Sequence, residues 1–210
     1  YYVEKFEQEL RNYSNRVPLT TDENLWKRAT EIGNEVIWLH TYGERGKARN
    51  GANTLFEVPG ALQLPEYAVP VGSTMPEKAA YDLANQMLSL GAGRWENVLS
   101  EVWNYTVGGV NVIDSWVGYR RKKPKGRKSS PLDDLILTNW TTQLSREFHE
   151  LLVVLTRLVT LEDEQQQLLD EIMESEKITY DQLQERGVMF PKTTKDRKPR
   201  MVDENQESVF

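Results

Sequence analysis

With 210 residues, 39% of them apolar and 10% aromatic, the chain can bury the core of one domain, or of one domain with two lobes. It has no cysteine and only two histidines, His40 and His149, which excludes disulfides and thiolate metal sites and argues against a zinc centre. The net charge of −6 is unlike that of an average nucleic-acid binder, so the distribution of charge along the chain matters more than its sum.

The chain opens without Met, directly into YYVEKFEQEL, whose apolar residues Tyr2, Phe6 and Leu10 recur every four positions. This is helical spacing, and it ends where Asn12, Ser14 and Asn15 break the pattern. Such a start reads as a piece of a longer polypeptide, and it lacks the basic-then-apolar build of a signal peptide. After Pro18, either Thr21 or Asp22 is placed to cap a second helix, running to about His40 on a stripe of Leu25, Trp26, Ala29, Ile32, Val36, Ile37 and Leu39. From Tyr42 to Pro76 glycine, proline and asparagine interrupt short apolar runs, which predicts irregular structure with short strands.

From Gln86 to Val112 the aromatic and β-branched residues predict strands around a turn at Gly91-Ala92-Gly93. Val112, Ile113, Trp116 and Val117 then share one helical face. That helix leads into RRKKPKGRK, where Arg120, Arg121, Lys122, Lys123, Lys125, Arg127 and Lys128 place seven positive charges in nine residues with no acid among them. From Trp140 to Ser175 a helical seam carries Leu144, Phe148, Leu151, Leu155 and Leu158, with a break expected at Thr160 that would fold the segment into a helical hairpin. Beyond Gly187 the polar, doubly charged composition predicts an extended or flexible tail. No apolar run reaches the roughly 18 to 20 residues of a membrane span, so a cytoplasmic protein without a membrane partner is expected.

The motifs of several chemistries are missing. The single Gly-Lys pair, Gly46-Lys47, is followed by Ala48 rather than Ser or Thr, so there is no phosphate-cradling loop. Gly91 and Gly93 begin a dinucleotide fingerprint, but Glu96 occupies its third glycine position and would repel a pyrophosphate. An amino-methyltransferase motif needs consecutive prolines, and the chain has none. His149-Glu150 opens a metalloprotease motif whose second histidine position is Val153. Nothing assembles a nucleophile, a base and an orienting group, so no catalytic residue and no metal or cofactor site is expected in this chain.

The basic run suits duplex phosphates, since Lys and Arg release counterions on binding the backbone and add affinity without reading sequence. Base reading falls to side chains in or beside the expected strands: Arg94, Asn97, Asn104, Tyr105 and Asn111. The alternative for the basic run is a solvated surface turn. Trp26, Trp38, Trp103, Trp116 and Trp140 stand at apolar positions of their segments and are expected in the core rather than as stacking platforms.

Three ordered stretches are similar to one known family. YYVEKFEQELRNYSNRVPLTTD, continued by IGNEVIWLHTYGER from Ile32, matches its helix, turn and helix ending in Leu-His. VWNYTVGGVNVIDSWVGYRRKKPKGRKSSPLDDL, and then NWTTQLSREFHELLVVLTRLVTLEDEQQQLLDEI, match its later parts. From Tyr1 to about Val188 the chain resembles the C-terminal target-recognition (specificity) domain of type ISP restriction-modification enzymes and related bacterial adenine-specific DNA methyltransferases. At one point it departs from the family pattern: Gly108 stands where a small hydroxyl residue is expected, making a double glycine with Gly109. The resemblance implies a domain that contacts double-stranded DNA beside a methyltransferase domain of the same polypeptide. The parent would use S-adenosylmethionine to methylate adenine, with ATP and Mg added if nuclease and translocase domains are attached.

The expectation is therefore an α+β fold with helices at both ends around a small central β element and a C-terminal helical hairpin. Residues 1–188 would form the recognition domain, helical over 1–41, mixed or β over 42–112 and helical over 112–186, followed by a polar tail over 189–210. The competing expectation is a helical protein-protein docking module without direct DNA contact.

Overall fold

A carboxylate starts the first long helix of the computed structural model, which describes residues 6, 17–42, 62–65, 68–121 and 137–193. One oxygen of Asp22 accepts hydrogen bonds from the backbone N–H groups of Asn24 (2.8 Å) and Leu25 (3.2 Å), satisfying two of the donors that a helix N-terminus leaves open. Helix α1 (Glu23–His40) follows. After it come β1 (Ala79–Asp82), β2 (Met87–Leu90), β3 (Gly93–Trp95), the one-turn α2 (Ser100–Trp103), the hairpin strands β4 (Thr106–Val107) and β5 (Val110–Asn111), α3 (Val112–Arg120), the 33-residue α4 (Thr142–Glu174) and the short α5 (Tyr180–Glu185). The architecture is α+β, with a three-stranded antiparallel sheet in the order β1-β2-β3, a separate two-stranded ribbon and helices at the C-terminal end.

Helix α4 is the axis of the molecule. Leu144, Phe148, Leu151, Leu155 and Leu158 of the expected seam are all buried, and so is every residue from Leu151 to Thr156. A helix buried all round its middle turns is surrounded by other elements rather than lying on a surface. Trp95 of the sheet meets Phe148 edge-on at 4.9 Å between ring centroids, and Trp116 of α3 lies 5.0 Å from the same ring. Trp140, just before α4, is buried 6.3 Å from Trp116. Each such side chain contributes about 1.5–3 kcal/mol by leaving water, and this aromatic junction joins the sheet, α3 and α4 in one core.

Helix α1 packs antiparallel to α4, and polar contacts set the register. Arg28 is ion-paired with Glu171, while Arg157 grips Glu35 through two hydrogen bonds of 2.6 and 3.1 Å. Arg28 and Glu35 are two turns apart, hence on one face of α1. The chain ahead of α1 is tied to the end of α4 by a bridge between Thr20 and Lys177 and by the amide of Ile178 donating to the Leu19 carbonyl at 2.8 Å. The segment before β1 is fastened to the start of α4 in the same manner, with Gly72 and Trp140 joined at 2.8 Å and Trp140 and Ser73 at 2.8 Å.

Several expectations are corrected. No break occurs at Thr160: α4 runs straight through it, and the turn comes at Ser175, before the capping box of Thr179 and Gln182 that starts α5. Thr160 tolerates the helix because its hydroxyl donates to the Arg157 carbonyl one turn back. Within Gln86–Val112, SEVW forms the helical turn α2 rather than a strand. Strand β1, which the Ala-Ala-Tyr-Asp composition hid, pairs Ala79 with Leu90 and Asp82 with Met87. Trp26 is 43% exposed rather than core, its indole N–H donating to the Thr20 carbonyl at 2.7 Å. The expected helix over residues 1–13, most of the basic run and the tail beyond Thr193 lie outside the described residues. Among the described residues no helix is long and apolar enough to cross a membrane.

Candidate nucleic-acid interface

Asn111 organises the region around the ribbon. Its side-chain oxygen accepts from the Asp114 amide (2.9 Å), capping α3, and its amide group donates to the Trp103 carbonyl at the end of α2 (2.6 Å). One side chain thus locks α2, the ribbon and α3 together. The ribbon itself turns through Gly108 and Gly109, at φ values of 58° and 78°, a left-handed pair that glycine adopts without strain and that matches the twist of a two-residue hairpin. A Cβ built on either glycine would meet nothing within 4 Å, so the turn projects into open space.

Beside the ribbon lies an open groove of about 280 Å³, walled by Tyr42, Val107, Val110, Val112, Trp116, Tyr119, Arg120 and Leu151 among others. Val107 and Val110 are 65% and 56% exposed, and Tyr119 is 82% exposed. Tyr119 escapes burial because it stands roughly a third of a turn away from the Ile113, Trp116 and Val117 stripe that α3 presents to the core. Arg120 closes one end. Its guanidinium carbon lies 3.8 Å from the centroid of the Trp116 indole, and it is ion-paired with Glu147 at 3.1 Å. Tyr42, at the end of α1 with a φ of 51°, is partly buried against the core, and burial pushes its hydroxyl pKa up despite the opposing influence of Arg120.

The expected site residues separate into two groups. Tyr105 and Asn111 come together at the base of the ribbon, where the Val112 amide donates to the Tyr105 carbonyl at 3.1 Å, and Asn104 caps α2 immediately before them. Tyr105 packs against the core, and its hydroxyl pKa is raised by burial and then by the charge of Glu162. Arg94 and Asn97 belong to the sheet end: Arg94 donates to the carbonyls of Gly91 (2.9 Å) and Gly93 (2.8 Å), holding the β2–β3 turn, and Asn97 adopts a left-handed φ of 57°. Of the basic run, Arg120 lines the groove and Arg121 donates to the Glu77 carbonyl at 2.8 Å, while Lys122, Lys123, Lys125, Arg127 and Lys128 lie outside the described residues. Sequence reasoning passed over Val107, Val110 and Tyr119. The signal for them was Val-Gly-Gly-Val, two β-branched residues flanking an obligatory turn, followed by an aromatic residue off the apolar stripe of its helix.

Residues 1–152 match the family model of the type ISP C-terminal specificity domain. The chain belongs to that family. The match includes the ribbon, α3 and the groove and stops within α4. Target recognition in a restriction-modification enzyme is the role of such a specificity domain. No curated protein and no solved structure matches the chain.

Proposed function

We propose that this specificity domain binds double-stranded DNA through the face formed by the ribbon, the C-terminal end of α3 and the basic run that follows it. The observation that carries the reading is the polarity of charge around α4. Positive charge begins at Arg120 beside the groove and continues in sequence to Lys128. Acidic residues are concentrated from Glu162 to Glu176, seven of them with no Lys or Arg between. Glu162 reaches Tyr105 at the ribbon base electrostatically, whereas Asp170, nineteen residues of helix beyond Leu151 of the groove wall, lies about 28 Å away, more than three Debye lengths at physiological salt.

In this reading Arg120, Arg121, Lys122, Lys123, Lys125, Arg127 and Lys128 contact phosphates, with Arg120 pre-oriented by Trp116 and Glu147. Of the polar candidates for base contacts, Asn104 and Tyr105 stand at the ribbon base beside this face, Asn111 engages its side chain with Trp103 and Asp114, and Arg94 and Asn97 stand at the sheet end. Adenine methylation, with S-adenosylmethionine, belongs to a methyltransferase domain elsewhere in the parent polypeptide. A docking role through the apolar seam of α4 is less well supported, since that seam is buried against the sheet, α1 and α3.

The test is fluorescence anisotropy of the chain with a random-sequence duplex across a salt series, repeated with Lys122, Lys123 and Lys125 changed to Ala. The expected result is binding whose logarithm falls linearly with the logarithm of salt, with the slope reduced by about 0.9 for each phosphate contact removed. Absence of binding by the folded chain at low salt would overturn the reading.

A further inference from the structure

The exposed side chains of the groove wall beside Arg120 are Val107, Val110 and Tyr119, and this sets how sequence would be read. We infer that Val107 and Val110, at the tip of the β4–β5 ribbon, read thymine methyl groups in the major groove of the target duplex. The inference rests on the DNA-binding reading and adds to it a specificity-determining contact by residues outside the polar candidates.

Three observations converge. A two-stranded antiparallel ribbon is narrow enough to enter the major groove of B-form DNA, and the Gly108-Gly109 turn, with no neighbour within 4 Å of either built Cβ, leaves this ribbon free to do so. Val107 and Val110 are directly paired across the ribbon, so their side chains lie on the same face and form one apolar patch. That patch is more than half exposed, as is Tyr119 on the same groove wall, and an exposed apolar cluster of this kind marks a binding surface. The charge of the sequence that leaves this wall selects a polyanion as partner: Arg120, ion-paired with Glu147, lies in the groove wall, and the sequence from Arg121 to Lys128 carries six further positive charges and no acid. Valine can neither donate nor accept a hydrogen bond, and the one feature of the major groove that rewards an apolar side chain is the C5 methyl of thymine.

The experiment selects duplexes from a randomised pool with the wild-type chain and with the V107S/V110S variant. Serine carries no methyl group, so the apolar contact is removed at both positions, and circular dichroism and the thermal midpoint verify folding. The expected result is that both proteins bind random duplex with the same salt dependence, while the variant loses enrichment at the T·A positions of the wild-type motif. Replacing thymine by uracil at those positions should weaken the wild type about fourfold per contacted methyl, the effect of exposing one methyl group, and leave the variant unchanged. If the folded variant enriches the same motif, or uracil substitution affects both proteins equally, the inference is overturned while DNA binding stands. If the wild type binds no duplex at all, both readings fall together.

Discussion

Arg120 stands over the indole of Trp116 one helical turn behind it, and the same guanidinium meets Glu147 of α4. The residue that opens the basic run is therefore also a tie between α3 and α4. Replacing Arg120 by Ala removes a cation–π contact of about 0.5–1 kcal/mol and a part-exposed ion pair of about 0.2–1 kcal/mol. Urea denaturation should show a loss of about 1 kcal/mol for Arg120→Ala. A variant as stable as the wild type would deny Arg120 its structural share.

The clamp between α1 and α4 can be measured separately. Arg157 and Glu35 are only 18% and 26% exposed at their side chains, and the hydrogen bonds that Arg157 donates to Glu35 raise its pKa. Removing one partner strands a partly buried charge, so Glu35→Ala should cost about 1–3 kcal/mol. The double change to Glu35→Leu with Arg157→Met should recover much of that loss, because it also removes the need to desolvate charge. A double-mutant cycle in chemical denaturation gives the coupling, and a coupling near zero would show that the register of α1 on α4 is set by apolar packing alone.

Stability should fall on mild acidification. His149 is 2% exposed within α4, and burial pushes its imidazole pKa below the usual value. In the unfolded chain the ring takes up a proton near pH 6.5, which the folded protein resists. Below that pH the unfolded state binds more protons, so the stabilising contribution is complete above about pH 6.5 and declines as pH drops toward the depressed folded value. The thermal midpoint of the wild type should fall between pH 7.5 and 5, and His149→Gln should flatten the slope. Parallel slopes for the two proteins would place the pH dependence on other groups.

Two glycine substitutions should have opposite signs. A Cβ at Gly93 would lie 2.7 Å from a Val69 methyl and 2.9 Å from the Trp95 ring, so Gly93→Ala should destabilise by about 1–3 kcal/mol. At Gly33, inside α1, a Cβ meets nothing within 4 Å, and Gly33→Ala should stabilise by about 0.5–1 kcal/mol through reduced backbone freedom of the unfolded chain. Thermal midpoints that move in the same direction would contradict the packing around β3.

What the sequence made legible followed from patterns that local physics enforces. Asp22 is a cap because its carboxylate reaches two amides, and the seam from Leu144 to Leu158 is buried because helical spacing brings those residues to one side. The faults arose where tertiary contacts outweighed local preference. Trp26 falls in the apolar stripe that the sequence of α1 suggests, yet it and Ile37 lie about half a turn from Arg28 and Glu35, which clamp the opposite face of that helix to α4, so both stay exposed. Ala79–Asp82 has little strand preference and is held in the sheet by pairing with β2 and by the Tyr81 hydroxyl donating to the Val98 carbonyl at 2.7 Å. The groove was invisible for a related reason: Tyr42, Val110 and Leu151 are far apart in sequence and share a wall only once α1, the ribbon and α4 have docked.

The unbroken course of α4 makes it a lever as well as an axis. Leu151 borders the groove, and Glu174 ends the same rod 23 residues further on, about 35 Å away. A helix without a joint cannot absorb a tilt along its length. Because Arg28 ties Glu171 near its far end to α1, a tilt imposed on α4 at the groove would carry α1 with it.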